Sequence, residues 1–257
     1  MEKGAAKSTV HVKKYPTRQA MGEAAAVAVA GQIRQLLEQQ ELVNIIFAAA
    51  PSQNEFLAAL LLEEIDWERI NAFHMDEYVG LVADAPQGFG NFLKDRLFAK
   101  VPFRTVHYIN GNAPDLHAEC SRYAQLVKQN PPDIVCLGIG ENGHIAFNDP
   151  PAADFEDPEL VKQVGLDSVC RQQQVNDGCF AALSLVPAKA LTLTIPALIK
   201  GRYLYCIVPG RLKAQAVYNT LYAEIKSLYP STILRTHPGM TLFLDEQSAG
   251  MLNTNEL

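Results

Sequence analysis

Short, nearly continuous apolar runs punctuate the chain at residues 44–49, Ile70–His74, 133–137, 191–195, Tyr203–Val208 and 241–244. Runs of this length without polar alternation suit strands buried on both faces. Between them, apolar positions recur at helical spacing over residues 55–64, 89–98, 116–128 and 212–225. Strand alternating with helix predicts an α/β fold with an open, mainly parallel sheet and helices on both faces. Such a sheet binds its ligand beyond the carboxyl ends of its strands, so the loops that follow the apolar runs are where chemistry is to be sought.

Residues 24–30 form a small-residue apolar run that follows Lys13, Lys14 and Arg18 and contains Ala-Val-Ala, which calls for a signal-peptide check. Glu23 interrupts the approach, and the run flows into Ile33, Leu36 and Leu37 with Gln32, Arg34 and Gln35 between them, the spacing of an amphipathic helix. The run is too short to span a bilayer. No repeat, low-complexity tract or Gly/Ser linker divides the sequence, so residues 1–257 read as one domain with loose ends.

Composition narrows the classes. The chain has 257 residues, 48% of them apolar and 19% charged, enough for a sizeable core. Lys and Arg total 22 against 28 Asp and Glu, so no global basic field draws nucleic acid or an anionic membrane, although a local anion site remains allowed. The five cysteines, Cys120, Cys136, Cys170, Cys179 and Cys206, are odd in number and widely spaced. They read as reduced thiols of a cytoplasmic protein rather than a disulfide framework or zinc knuckle.

Two loops carry candidate chemistry. Met75-Asp76-Glu77-Tyr78-Val79-Gly80 follows the run Ile70–His74 and sets two adjacent carboxylates where a strand ends. Such a pair can divide labour, one acid facing the site as a base and its neighbour taking structural hydrogen bonds; a solvated turn or helix N-terminus is the alternative. After residues 133–137 the chain reads Gly138-Ile139-Gly140-Glu141-Asn142-Gly143-His144-Ile145-Ala146-Phe147-Asn148-Asp149-Pro150. Gly138, Gly140 and Gly143 let the backbone turn sharply and approach a ligand, while His144 and Asp149 pair an imidazole with a carboxylate able to orient it. A glycine-rich turn with a satisfied histidine is the alternative; a dinucleotide fingerprint fails because the spacing is not G-x-G-x-x-G and no clear helix follows.

These segments, with Asn110-Gly111-Asn112-Ala113-Pro114-Asp115 between them, resemble glucosamine-6-phosphate deaminases/isomerases in order and spacing. The likeness extends through Val186-Pro187 to Pro196, Gly210 to Lys213 and Thr236-His237-Pro238, and so covers most of the chain. It implies a modified Rossmann-like fold and a cofactor-free reaction. Members of the family open the ring of an amino-sugar phosphate, move a proton between C2 and C1 and release ammonia, giving fructose 6-phosphate. By resemblance His144 shuttles the ring-opening proton and Asp76 is the enolising base. Asn142 helps hold His144 or the substrate. Asp149 stands where the family usually has Glu, and one methylene less puts its reach to the imidazole or substrate at stake, since about 1 Å of misplacement can cost roughly a hundredfold in rate.

The implied phosphate site is depleted. The family's first phosphate loop is rich in glycine and threonine, whereas this chain has Ala48-Ala49-Ala50-Pro51-Ser52-Gln53-Asn54-Glu55. Ser52 keeps a hydroxyl at the start of the following helix, where amides and dipole favour an anion, or else it is only the helix N-cap; Pro51 removes one amide donor. Lys213 matches the family's phosphate-binding lysine. The family's lid arginine has no clear counterpart. Nearby stand Arg171 and the neutral Gln172-Gln173-Gln174, which suit recognition of the sugar, with a polar surface helix or loop as the alternative. The substrate-binding set is therefore Ser52, Lys213, Gly140, Gly143, Arg171 and Gln174, with no metal.

The rival enzyme is a 6-phosphogluconolactonase, which shares the Gly-x-Gly-Glu-(Asp/Asn)-Gly-His loop but typically continues toward Ser-Leu-Phe-Pro. Ile145-Ala146-Phe147-Asn148-Asp149-Pro150 and the retained Met75–Tyr78 loop favour the deaminase branch. A non-catalytic sugar-phosphate sensor is a further alternative, motivated by Asp149 and the altered phosphate loop. The six histidines are scattered without ligand spacing, which disfavours a metal hydrolase. A homo-oligomer stays open, because the family ranges from monomers to hexamers.

Overall fold

The computed structural model describes residues 10–253. Strand β1 (His11–Tyr15) leads into helix α1 (Arg18–Leu37). Thr17 starts α1 by accepting a hydrogen bond from the Ala20 N–H at 3.1 Å. Met21, Ala25, Val29, Ile33 and Leu36 form its buried stripe, with the helical spacing the sequence predicts. There follow β2 (Val43–Phe47), α2 (Asn54–Leu60), β3 (Ile70–His74), β4 (Asp76–Tyr78), α3 (Phe89–Leu93, extended by a π turn over Lys94–Phe98), β5 (Thr105–His107) and α4 (Leu116–Gln129). The chain continues with β6 (Ile134–Leu137), β7 (Val161–Gly165), α5 (Ser168–Asn176), β8 (Lys189–Leu193), α6 (Ile195–Leu198), β9 (Tyr203–Val208), α7 (Ala214–Tyr222) and β10 (Met240–Asp245).

Seven strands pair in parallel in the order β1-β10-β9-β6-β2-β3-β5. Alternate residues serve opposite faces: Val43, Ile45 and Phe47 of β2 join the core beneath α1 and α2, while Ile46 joins the core shared with α4 and α7. This is the doubly covered parallel sheet that the continuous apolar runs imply. The chain leaves β2 toward β3 and leaves β6 toward β9, in opposite directions. The carboxyl ends of the adjacent β2 and β6 therefore flank a topological switch point, where a crevice opens.

Four strands lie outside the predicted runs. β1 is a polar edge strand, and β4, β5 and β7 are short or carry polar positions, so their sequences lack the two-faced apolar signature. The run at residues 191–195 does form a strand, β8, but it sits outside the parallel sheet, between β4 and β7 in a three-stranded antiparallel sheet. That small sheet fixes β4, and with it Asp76, beside the crevice. Among the described residues no helix is long and apolar enough to cross a membrane.

Candidate active site

The crevice is lined from five directions. The loop after β2 contributes Ser52 and Gln53, the end of β3 contributes Met75 and Asp76, and the glycine loop after β6 contributes Gly138, Gly140 and His144. Gln173 and Gln174 enter from α5, and Lys213 enters from the turn before α7.

Asp76 and Glu77 divide their tasks. Glu77 accepts the backbone N–H groups of Tyr78, Phe89 and Gly90 at 2.8–3.0 Å, thereby seating the start of α3. Asp76 is 5% exposed, and among the described residues no donor reaches its carboxylate. Burial, and then the neighbouring charge of Glu77, push its pKa well above the ordinary carboxylate value. A carboxylate that holds protons tightly and faces a cleft is suited to take one from a substrate near neutral pH.

His74 fixes the backbone of Asp76, a role the sequence reading missed. Its fully buried ring accepts the Ile109 N–H at Nε2 (2.9 Å), which makes Nδ1 the protonated nitrogen that donates to the Asp76 carbonyl (2.9 Å). Burial lowers its pKa to about 4, so it is a neutral strut rather than a proton carrier. Tyr123 braces the same turn, accepting the His74 N–H and donating to the His74 carbonyl.

His144 is held by the two residues that the sequence grouped with it. Its Nδ1 lies 2.8 Å from Asn142 Oδ1 and 3.1 Å from Asp149 Oδ1, while Asn142 Nδ2 donates to the same Asp149 oxygen at 3.0 Å. Two acceptors at Nδ1 place the proton there and leave Nε2 as the basic nitrogen. Asp149, despite its shorter side chain, reaches the imidazole. Burial pushes its carboxyl up, but the hydrogen bond and charge of His144, then the Asn142 amide and the Asp167 N–H, hold it below its ordinary value. Asn142 and Asp149 are not among the residues that line the crevice; both contact the His144 imidazole behind it.

The two glycines have different tasks. A Cβ on Gly140 would lie 2.1 Å from His144 Cε1, so the imidazole occupies the space a side chain would fill. Gly143, expected to contact substrate, is not among the residues that line the crevice. It adopts φ +86°, a left-handed turn that glycine makes without strain, and its carbonyl accepts the Ser231 N–H.

At the anion end, Ser52 does not cap α2, which has no side-chain cap. Its Oγ instead accepts from Gln53 Nε2 (3.2 Å), which also donates to the Ile207 carbonyl of β9 (3.2 Å). An oxygen already accepting from Gln53 is left to point its own hydrogen elsewhere. Lys213 is 6% exposed, and burial lowers its pKa, opposed by the charges of Asp177 and then Glu141. It is the one Lys or Arg among the described residues that line the crevice.

In α5, Gln173 accepts the Glu141 N–H at 2.8 Å, tying the helix to the glycine loop. Gln174 is 3% exposed and its Oε1 has no partner, an open acceptor at the crevice. Arg171, expected to bind substrate, is not among the residues that line the crevice. Its Nη2 donates to the carbonyls of Leu183 and Val186, both at 2.8 Å, so the guanidinium pins the following loop. Gln53 and His74 were not legible in the sequence because each bridges a near neighbour, Ser52 or Asp76, to a partner far along the chain, Ile207 or Ile109.

The model of the family described as glucosamine-6-phosphate isomerases/6-phosphogluconolactonase matches residues 16–243. The chain belongs to this family. A glucosamine-6-phosphate deaminase of Exiguobacterium sp. is 36% identical over 187 residues, 73% of this chain and 72% of that protein. The Listeria innocua glucosamine-6-phosphate deaminase is 34% identical over 211 residues, covering 82% and 88%. Among solved structures, one described as a monomeric glucosamine-6-phosphate deaminase of the NagB superfamily superposes with TM-score 0.85 at 29% identity, covering 94% of this chain and all of that one. A 6-phosphogluconolactonase of Thermotoga maritima superposes with TM-score 0.75 at 19% identity, covering 92% and 99%, and shows the shared fold alone.

Proposed function

We propose that this family member, acting as a single cytoplasmic domain, converts an amino-sugar 6-phosphate, glucosamine 6-phosphate first, with water to fructose 6-phosphate and ammonia. One observation carries the reading above all: a buried, donor-free carboxylate and an imidazole in a fixed tautomer share one crevice. His144 Nε2 takes a proton from the sugar hydroxyl and returns it to the ring oxygen, opening the ring. Asp76 then carries a proton from C2 to C1. Asp149 and Asn142 keep the imidazole proton on Nδ1 during the first step and stabilise the imidazolium that forms. The test sets glucosamine 6-phosphate beside 6-phosphogluconolactone: turnover of the first, with lactone hydrolysis no faster than its spontaneous rate, is expected, and the reverse pattern overturns the reading.

Lys213 and Ser52 take the phosphate, and Gln174 accepts from a sugar hydroxyl or amino group. A buried ammonium whose charge burial disfavours gains most when an anion arrives. Lys213→Ala is therefore expected to raise KM for phosphorylated sugar by roughly tenfold to a hundredfold, equivalent to about 1.5–3 kcal/mol, with a smaller change in kcat. An equal effect on unphosphorylated ligands makes it a structural lysine.

Gln53 acts on the phosphate through Ser52. Replacing Gln53 with Met is expected to raise KM about threefold to tenfold with kcat nearly kept, and to add little in a Ser52→Ala background, since residues sharing one contact do not behave additively. Full additivity of the two changes in steady-state kinetics removes Gln53 from this role.

A further inference from the structure

Cys170 stands outside the proposed chemistry yet lies against it. It is fully buried in α5, with its thiol beside the Asp149 carboxylate. A ring nitrogen of His144, an Asp149 oxygen and Cys170 Sγ all fall within 4.8 Å of one another, and His144 Nδ1 lies 3.1 Å from Asp149 Oδ1. Sequence spacing conceals this group, because the fold brings Cys170 to the pair from a separate helix. Imidazole nitrogen, carboxylate oxygen and thiolate around one point are the donors of a tetrahedral zinc site, whose bonds of about 2.0–2.3 Å put the donor atoms roughly 3.3–3.8 Å apart. The 3.1 Å between His144 Nδ1 and Asp149 Oδ1 is already close to that spacing. His144 lines the crevice, so the cluster lies directly behind one of the crevice's own side chains.

We propose that a thiophilic divalent cation, Zn²⁺ above all, binds His144 Nδ1, Asp149 and Cys170 and switches the enzyme off. Bonds form from the ion to the imidazole nitrogen, the carboxylate oxygen and the sulfur. The thiol proton leaves to solvent and the imidazole proton moves from Nδ1 to Nε2, so one proton is released per ion bound. The two positive charges of the ion are matched by the carboxylate and thiolate, which keeps the buried site neutral. Inhibition follows from the tautomer: Nε2, the nitrogen that accepts the sugar proton, then carries a proton it cannot exchange while the metal holds Nδ1. This is a site of inhibition; catalysis needs Nδ1 protonated and so needs the ion gone.

The test uses Co²⁺ as a coloured stand-in for zinc. Metal-free full-length protein titrated with Co²⁺ is expected to develop a thiolate-to-cobalt charge-transfer band that saturates at one equivalent and disappears when Zn²⁺ is added. Cys170→Ala, or Cys170→Ser should the alanine variant fail to fold, is expected to lack the band. Cys179→Ala is expected to keep it, since Cys179 is outside the cluster. Zn²⁺ is also expected to inhibit ammonia release, reversibly on adding a chelator, with the Cys170 variant roughly tenfold or more less sensitive. A wild-type protein that shows no thiolate band overturns the proposal, as does a band that survives loss of Cys170. The inhibition arm rests on the deaminase reading and the spectroscopic arm does not. Cobalt bound through Cys170 in a protein that never releases ammonia sinks the deaminase reading and leaves the metal site standing.

Discussion

Asp76→Asn is expected to lower kcat by about a thousandfold, within the range that a positioned general base contributes, while substrate binding stays measurable. The amide is nearly isosteric and the position has no hydrogen-bonding donor to lose, so the cleft keeps its shape. What disappears is the only step assigned to Asp76, the transfer of the C2 proton, and solvent-deuterium exchange at C2 measures it directly. Unchanged exchange removes Asp76 from its role. The pH dependence has a definite sign. The base works only when ionised, so activity falls as pH drops through a pKa that burial and Glu77 have raised above the ordinary carboxylate range. Stability runs the other way. Because the folded protein binds this proton more tightly than the unfolded chain does, the carboxyl costs stability as pH rises from its unfolded value through its folded one. Asn lacks that cost, and the variant is expected to gain about 0.5–2 kcal/mol at neutral pH, read from its denaturant midpoint.

Gly140→Ala is expected to lower kcat by roughly a hundredfold or more, although the change adds one methyl group. The new Cβ would sit 2.1 Å from Cε1, 2.3 Å from Nδ1 and 2.4 Å from Nε2 of His144. Contacts this short cannot persist, so either the ring tilts away from Asn142 and Asp149 or the loop shifts. Overpacking of this kind costs about 1–3 kcal/mol of stability. Gly143→Ala separates the two causes. Its methyl meets nothing closer than Ser231 Oγ at 3.4 Å but must adopt φ +86°, so its expected penalty is in stability, with a much smaller fall in kcat. Equal kcat losses in the two variants contradict the assignment of Gly140 to the imidazole.

The central sheet was legible because β2, β3, β6, β9 and β10 are buried on both faces and have no polar alternation to confuse the reading. β1 and β5 lie at the two edges of the sheet, where polar residues are tolerated, and β4 and β7 have β8 as their one strand partner. Nothing local announces such strands; they depend on a partner far away in sequence. The site divides in the same way. Asp76, His144, Asn142 and Asp149 were legible because they fall in two short loops directly after apolar runs. Arg171 was placed with sugar recognition by its neighbours in sequence, whereas in the fold its Nη2 meets the carbonyls of Leu183 and Val186, partners that the sequence does not announce. The bridge from Gln53 to Ile207 and the approach of Cys170 to Asp149 are tertiary contacts without a sequence period, so only the folded chain reveals them.

The most direct measurement is a stoichiometric one: purified protein with glucosamine 6-phosphate, ammonia and ketose phosphate quantified together, with galactosamine 6-phosphate alongside. One ammonia and one fructose 6-phosphate per glucosamine 6-phosphate consumed is the expected result, lost in Asp76→Asn. Absence of ammonia from wild-type protein that still binds the sugar phosphate contradicts the proposed chemistry and leaves a crevice that recognises its ligand without turning it over.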